Sequence, residues 1–267
     1  MFGKILVNVK FRLYKLYSKI FSKKKVRLNS GHFYITTSTE NEVHRAFTFH
    51  EKEPETLQWI DSFSNFGLGK DDLVFFDVGA NIGIYSLYMG TRYPEAKVFS
   101  FEPDSQSFGS LCKNIYINKL KIQPYPFAIS DGSGVGIVQL STMNAGAGAC
   151  ALGEEYRFAT ATAENIFKQG VFFCSLDELV LKYQLPVPTF IKIDVDGIES
   201  TILYGAKEIL GSNECKGLLV EFQYKEEPNL NEMLDYLKSF GFSLSSKSDW
   251  IAVHNELKFR NFVFSKN

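Results

Sequence analysis

The sequence is short of the residues that build covalent or metal frameworks. Its four cysteines (Cys112, Cys150, Cys174 and Cys215) are dispersed and show none of the paired spacings of a zinc site or a redox motif. This excludes a disulfide scaffold and fits thiols kept reduced, as in a cytoplasmic protein. Long apolar runs are missing as well. Lys10, Arg12 and Lys15 interrupt any signal-peptide core after Met1. The longest uncharged stretch, Gly132 to Gly153, is too rich in Gly, Ser and Thr to span a bilayer. Acid is absent from residues 1–30, which hold nine of the 29 Lys and Arg residues and leave 20 cations against 30 acids in the remainder. The net charge of −1 therefore conceals a head of +9 and a body of −10.

What is present describes an ordinary folded chain. At 267 residues, 45% hydrophobic and 22% charged, it has material for one full core with small appendages. Three units are expected. Residues 1–30 form a basic amphipathic N-terminal helix: over residues 1–25, Phe2, Leu6, Val9, Leu13, Leu16 and Ile20 share one helical face and cations occupy much of the rest. Such a helix can lie on an anionic membrane surface, or simply pack on the body with its cations solvated. Residues 31–70 are a helical lead-in, where Glu53-Pro54-Glu55 opens a helix with Leu57, Ile60 and Phe63 on one side.

The third unit, residues 71–267, alternates between strand and helix. Strands are expected at 73–78, 97–101, 122–129, 189–195, 217–222, 242–245 and 259–264. The helices fall at 82–92, 105–118, 198–210 and 229–240. Near-continuous apolar strands alternating with amphipathic helices imply an α/β fold with a mostly parallel sheet covered on both faces. The last two strands can close one edge as an antiparallel pair. Residues 132–175 break the alternation and read as an insertion near the active site, with a mobile glycine-rich loop at 144–149.

Chemistry enters at the carboxyl ends of the strands, where open α/β sheets bind ligands. Asp77-Val78-Gly79-Ala80-Asn81-Ile82-Gly83 leaves the first strand, with Gly79 suited to a sharp turn and Gly83 to close helix packing. A strand–helix turn without a ligand would need no acid at Asp77 and none at the end of the next strand. Glu102 stands there and can accept hydrogen bonds from both hydroxyls of a ribose. The combination points to an adenosine-bearing cofactor. A dinucleotide loop would place glycines where Asn81 and Ile84 stand, which disfavours NAD or FAD. S-adenosylmethionine has no pyrophosphate to accommodate, and Asp77 suits its amino group.

A second constellation is Lys192-Ile193-Asp194-Val195-Asp196-Gly197-Ile198-Glu199. Asp196 and Glu199 read as helix-capping acids. Asp194, at the sheet edge beside the cleft, is the candidate to orient a substrate or to take its proton as general base. The three carboxylates together could hold a divalent cation, but no ligand geometry is legible and no metal is assigned. Glu221 ends the next strand and could join either arrangement, while His44 and His50 receive no catalytic role.

These motifs resemble the FkbM family of methyltransferases. The residues that carry the likeness are Glu53-Pro54-Glu55-Thr56, Phe76 to Ser86, Phe101-Glu102-Pro103, Ala128-Ile129-Ser130-Asp131 and Ile191 to Gly197. The resemblance implies a class I, Rossmann-like methyltransferase fold with a seven-stranded sheet. It also implies S-adenosylmethionine as cofactor, held by Asp77, Gly79, Ala80, Asn81, Gly83, Glu102 and Pro103, and O-methylation of a hydroxyl on a sugar or natural product. The basic head suggests an acceptor beside the inner membrane leaflet, such as a lipid-linked saccharide. Nucleic acid is not an expected partner, because the cations cluster in the head while the body is acidic. The competing readings are a nicotinamide-dependent oxidoreductase and a non-catalytic, membrane-docked cofactor-binding module.

Overall fold

The fold was analysed in a computed structural model, which describes residues 2–67, 69, 72–147, 150–152, 167–195, 197–224, 228–249, 251–252 and 258–266. The basic head is not one helix. Helix α1 (Phe2–Ile20) stops well short of the helix expected over residues 1–30, and Lys23–Leu28 is a strand, β1, paired antiparallel with β2 (Gly31–Thr36). Lys23, Lys24, Lys25 and Arg27 thus belong to a hairpin. The physical reason is a change of period: Val26 on β1 faces Phe33 on β2. That pair buries with Ile35 against Phe49 in the same core cluster. Thr37 seals the junction, its N–H donating to Ser22 O at 3.1 Å and its hydroxyl to Phe21 O.

Helix α2 (Glu40–Lys52) starts at a capping box. Thr39 Oγ1 accepts from Glu42 N at 3.1 Å, and Glu42 Oε2 accepts from Thr39 N at 2.9 Å. Helix α3 (Pro54–Asp61) follows with proline in its first turn, as expected, and runs into a 3₁₀ turn, Ser62–Phe66. Trp59, Ile60 and Phe63 are buried, and the Phe63 ring stacks on Phe190 with centroids 3.7 Å apart. Leu57 is only partly buried.

The main domain follows the expected alternation through β3 (Val74–Val78), α4 (Ile84–Arg92), β4 (Lys97–Phe101), α5 (Ser105–Asn118) and β5 (Ile122–Tyr125). The strand expected over 122–129 then divides. Pro126 cannot donate to a ladder, and Ala128–Ser130 departs as β6 into a second sheet. There β6 lies beside β9 (Phe167–Ser175), which pairs antiparallel with β7 (Gly134–Leu140), and β7 carries β8 (Cys150–Leu152) on its other edge. The insertion at 132–175 thus contributes three strands to this second sheet, and Ala128, Val138, Leu140 and Val171 give the sheet a small core of its own. Residues 148–149 of the glycine-rich stretch lie outside the described residues. Ala145 and Gly146 are tied down: Thr39 Oγ1 donates to Ala145 O at 2.9 Å, and Arg45 Nε to Gly146 O at 2.7 Å.

Helix α6 (Leu176–Leu181) leads to β10 (Phe190–Ile193). The helix expected over 198–210 is broken into α7 (Glu199–Tyr204) and α8 (Lys207–Gly211). Gly205 marks the break, lying so close to Ser130 that a Cβ would sit 2.4 Å from its carbonyl oxygen. β11 (Gly217–Tyr224), α9 (Pro228–Ser239), β12 (Ser243–Lys247), the short β13 (Ile251–Ala252) and β14 (Lys258–Ser265) complete the described chain. The strand order is β12-β14-β11-β10-β3-β4-β5, with β13 added on β14. The five strands from β11 to β5 are parallel, and β14 runs antiparallel to both β11 and β12. This is the expected mostly parallel α/β sheet with an antiparallel edge, its seven-strand order extended to eight by the short β13. Val74, Phe76 and Val78 pack into one core cluster and Phe75 into another, so both faces are covered.

Candidate functional site

The loop after β3 takes three left-handed residues in five positions: Gly79 (φ 79°), Asn81 (φ 53°) and Gly83 (φ 85°). Asparagine tolerates this conformation and glycine has no Cβ to oppose it. The loop is pinned across to β4, where Gly79 N and Ala80 N both donate to Phe101 O at 3.0 Å. Glu102 clamps the next turn. It is buried, and its two oxygens accept from Asn81 N at 2.7 Å and Asp104 N at 2.8 Å. The bare Cα of Gly79 serves the protein itself: a Cβ there would lie 2.0 Å from the carbonyl oxygen of Asp194. Gly83 is occluded by Leu111 of α5, at 2.4 Å.

Asp77 is buried with its side chain turned toward α4. Ser86 Oγ donates to its Oδ2 and lies 2.7 Å from Ser100 Oγ, while Oδ1 has no hydrogen-bond partner. Burial pushes the Asp77 carboxyl upward, and Lys192 and the Ser86 hydroxyl offset this only in part. An orphaned buried acceptor suits a ligand that brings an N–H or O–H. Beside the loop, Gly79, Phe101, Pro103, Phe127, Ile129 and Val195 line a small, mainly apolar pocket. Pro103 is fixed there by Gln169, whose Nε2 donates to Pro103 O at 2.6 Å.

Next to this cradle lies a buried charge cluster. Lys192 has no solvent contact and pairs with Asp194 Oδ2, and its Nζ stands 4.7 Å from the centroid of the Tyr85 ring. Burial opposes its charge, but Asp194, Glu53 and Asp77 outweigh burial and keep it an ammonium. Asp194 follows β10, its N–H donating to Val78 O at 3.0 Å, and its side chain is 24% exposed. Burial works against its charge too, yet Lys192 and then Lys52 hold its carboxyl well below the usual carboxylate range. Glu53 is held low by Lys52, at 2.6 Å, and by Lys192, against the effect of burial. Glu221 goes the other way. Burial, then the charges of Asp194 and Glu53, raise it far above an ordinary glutamate. The buried Tyr85 hydroxyl faces Glu53 without a well-formed hydrogen bond.

The structure thus brings Asp77, Gly79, Ala80, Asn81, Gly83, Glu102, Pro103 and Asp194 to one sheet edge. Asp196 lies outside the described residues. Glu199 is buried in the first turn of α7 and accepts from Gly197 N at 3.0 Å. Among the described residues no group of three His, Cys, Asp or Glu is arranged to hold a metal ion. His44 is packed between Phe11 and Tyr14, and burial together with Lys10, Arg45 and Lys52 keeps its ring neutral. His50 contacts Arg27 O at 3.0 Å. Sequence reasoning gave no role to Lys192, Glu53 or Tyr85. The signal available was a lysine in a strand otherwise composed of Phe and Ile, which must be paired wherever that strand is buried on both faces.

Over 143 residues the chain is 29% identical to the hexuronic acid methyltransferase AglP of Haloferax volcanii, a match covering 54% of each protein. The chain therefore spans about half the length of that relative. Among solved structures, M. jannaschii TYW2 in complex with AdoMet is 12% identical (92% of this chain, 87% of that one, TM-score 0.44). Precorrin-6y C5,15-methyltransferase from Geobacter metallireducens GS-15 is 15% identical (81% and 88%, TM-score 0.44). The methyltransferase FkbM domain matches residues 77–244, well over half of the chain and the stretch that contains the glycine loop, Glu102 and Asp194. The chain belongs to the FkbM methyltransferase family.

Proposed function

We propose that the protein transfers a methyl group from S-adenosylmethionine to a hydroxyl of a sugar, carried on a glycan, a lipid-linked saccharide or a natural product. The observation that carries this reading is the meeting at one sheet edge of the glycine loop and Glu102 with the buried Lys192–Asp194–Glu221 cluster. The cofactor loop and the charge cluster lie side by side at this edge, Gly79 packing against the Asp194 carbonyl. The family membership supports methyl transfer and sets aside the nicotinamide reading. The relative named as a hexuronic acid methyltransferase supports a sugar acceptor.

Bound in this cradle, S-adenosylmethionine supplies an electrophilic methyl group, so the protein's task is alignment and exclusion of water. Glu102 would receive the ribose hydroxyls and Asp77 the amino group, with Gly79, Ala80, Asn81 and Gly83 bringing the backbone close and Pro103 beside the adenine. Asp194 accepts the hydrogen bond of the attacking hydroxyl and so orients its lone pair. Because Lys192 lowers its basicity, Asp194 chiefly orients the hydroxyl and takes the proton late. Burial and the neighbouring charges of Asp194 and Glu53 favour the protonated form of Glu221 beside Asp194. The acidic body disfavours nucleic acid as acceptor. We assign the protein to the cytoplasm, a reading supported by the free thiols of Cys112, Cys174 and Cys215.

The test is Asp194→Asn with labelled cofactor and fractionated glycans that carry uronic acids. Cofactor affinity by calorimetry should stay within about threefold while turnover falls by about 10²–10⁴. Matching loss of cofactor binding would make Asp194 a cofactor ligand instead, and undiminished turnover would remove it from the reaction. If the wild-type protein binds cofactor and labels no fraction, it is a cofactor-binding module rather than an enzyme.

A further inference from the structure

Helix α1 has three faces and uses only one of them on the body. Phe11, Tyr14 and Tyr17 pack toward α2, with Tyr14 buried and stacked on Phe47 at 5.7 Å and Phe11 against His44 at 5.9 Å. The aliphatic residues face elsewhere. Val9, Leu13, Leu16 and Ile20 are 50%, 60%, 55% and 63% exposed, and their spacing of four, three and four sets them in one stripe along the helix. Arg12, Lys15 and Lys19, all exposed, occupy the adjoining face. β1 continues with Lys23, Lys24, Lys25 and Arg27, and no acid occurs before Glu40. The body has left uncovered the most apolar side of its most basic segment.

We propose that α1 is a surface anchor that docks the protein on an anionic bilayer. The aliphatic stripe would enter the boundary of the acyl chains and the flanking cations would reach the headgroups. The charge pattern selects this occupant. Hydrocarbon and negative charge must be met side by side along a straight helix, and a bilayer interface offers both in adjacent layers. Lysine and arginine stems span the step between those layers. No described helix is long and apolar enough to cross a membrane, so α1 lies on the surface. The aromatic clamp on α2 holds the stripe outward without the membrane, so little ordering is left for the docking step. This inference stands apart from methyl transfer and survives the failure of that reading.

The full chain is to be sedimented with vesicles of phosphatidylcholine alone and with vesicles half phosphatidylglycerol. Binding to the second and not the first is expected, weakening as salt is raised. Combined Leu13→Glu and Leu16→Glu should reduce partitioning at least tenfold. Combined Arg12→Ser, Lys15→Ser and Lys19→Ser should reduce it by about a hundredfold, each surface cation being worth roughly fivefold. Neither set should alter the thermal unfolding midpoint, since these side chains contact solvent. Failure to bind anionic vesicles, or binding indifferent to the leucine changes, overturns the proposal. So does a wild-type dimer in sedimentation velocity that Leu13→Glu and Leu16→Glu dissolve, which would make a second copy the occupant of the stripe.

Discussion

A lysine ammonium without solvent contact persists only among anions, and Lys192 stands among Asp194, Glu53 and Asp77. Its charge sets the protonation of the whole cluster. Asp194 and Glu53 are held low beside it, while burial raises Asp77 and, more strongly, Glu221. This has a measurable consequence for stability. Glu221 binds its proton more tightly in the folded protein than in the unfolded chain. The stability it contributes is therefore complete below about pH 4.3, the unfolded range, and is lost as pH rises through the folded value. Glu221→Gln keeps a donor toward Asp194 and cannot ionise. By calorimetric melting its midpoint should match that of the wild type near pH 4 and exceed it by several degrees near pH 8. A difference that shrinks or reverses with rising pH would show that Glu221 is ionised in the fold. At this scale the sequence was informative about Asp194 and Glu102 and silent about Lys192, whose partners come from residues 53, 77 and 194.

Elements were legible where pattern and packing agree. β4 and α5 have the bounds that periodicity indicates, because Asp104 caps α5 by accepting from Gln106 N and Ser107 N, a device written locally. The element that sequence reading undervalued is the start of α2. Thr39-Glu40-Asn41-Glu42 is a capping-box sequence, and in the fold Glu42 also accepts from the hydroxyls of Thr36 at 2.8 Å and Ser110 at 2.7 Å. One carboxylate thereby joins the hairpin β1–β2, α2 and α5. Thr39→Ala removes the cap together with the bond to Ala145 O, which ties the second sheet's loop to α2. A loss of about 1–2 kcal/mol in urea unfolding is expected. A loss below about 0.3 kcal/mol would mean that neither bond matters. The boundaries that misled, at Ile20, Pro126 and Gly205, all depend on contacts with distant segments: the strand β2, the sheet around β9, and the Ser130 carbonyl.

As a whole the molecule is electrically divided, with a basic head set against an acidic, cleft-bearing body. The head and the cleft are mechanically joined through α2, which touches α1 at His44 and Phe47 and leads, at Lys52, directly into the charge cluster. If docking brings the cleft to a membrane-borne acceptor, the gain is one of local concentration. A uronic acid sugar on a lipid carrier, presented in phosphatidylglycerol vesicles, should be methylated at least tenfold faster than the same free sugar. Leu13→Glu with Leu16→Glu should abolish the advantage and leave the rate on the free sugar unchanged. Equal rates on both acceptors in the wild type would separate the anchor from the choice of substrate.

The sequence by itself determined the parallel sheet, the cofactor loop and the charge asymmetry. Each rests on local pattern: strand-length apolar runs, glycines at fixed offsets and a count of ions. Tertiary structure alone decided three further things: which face of α1 remains bare, that β7, β8 and β9 pair into a second sheet, and that Asp194 is paired with a buried lysine. These depend on what lies across the fold from each residue. Burial turns an ordinary carboxylate or lysine into one whose protonation is set by its neighbours, and that environment exists only after the chain has closed around it.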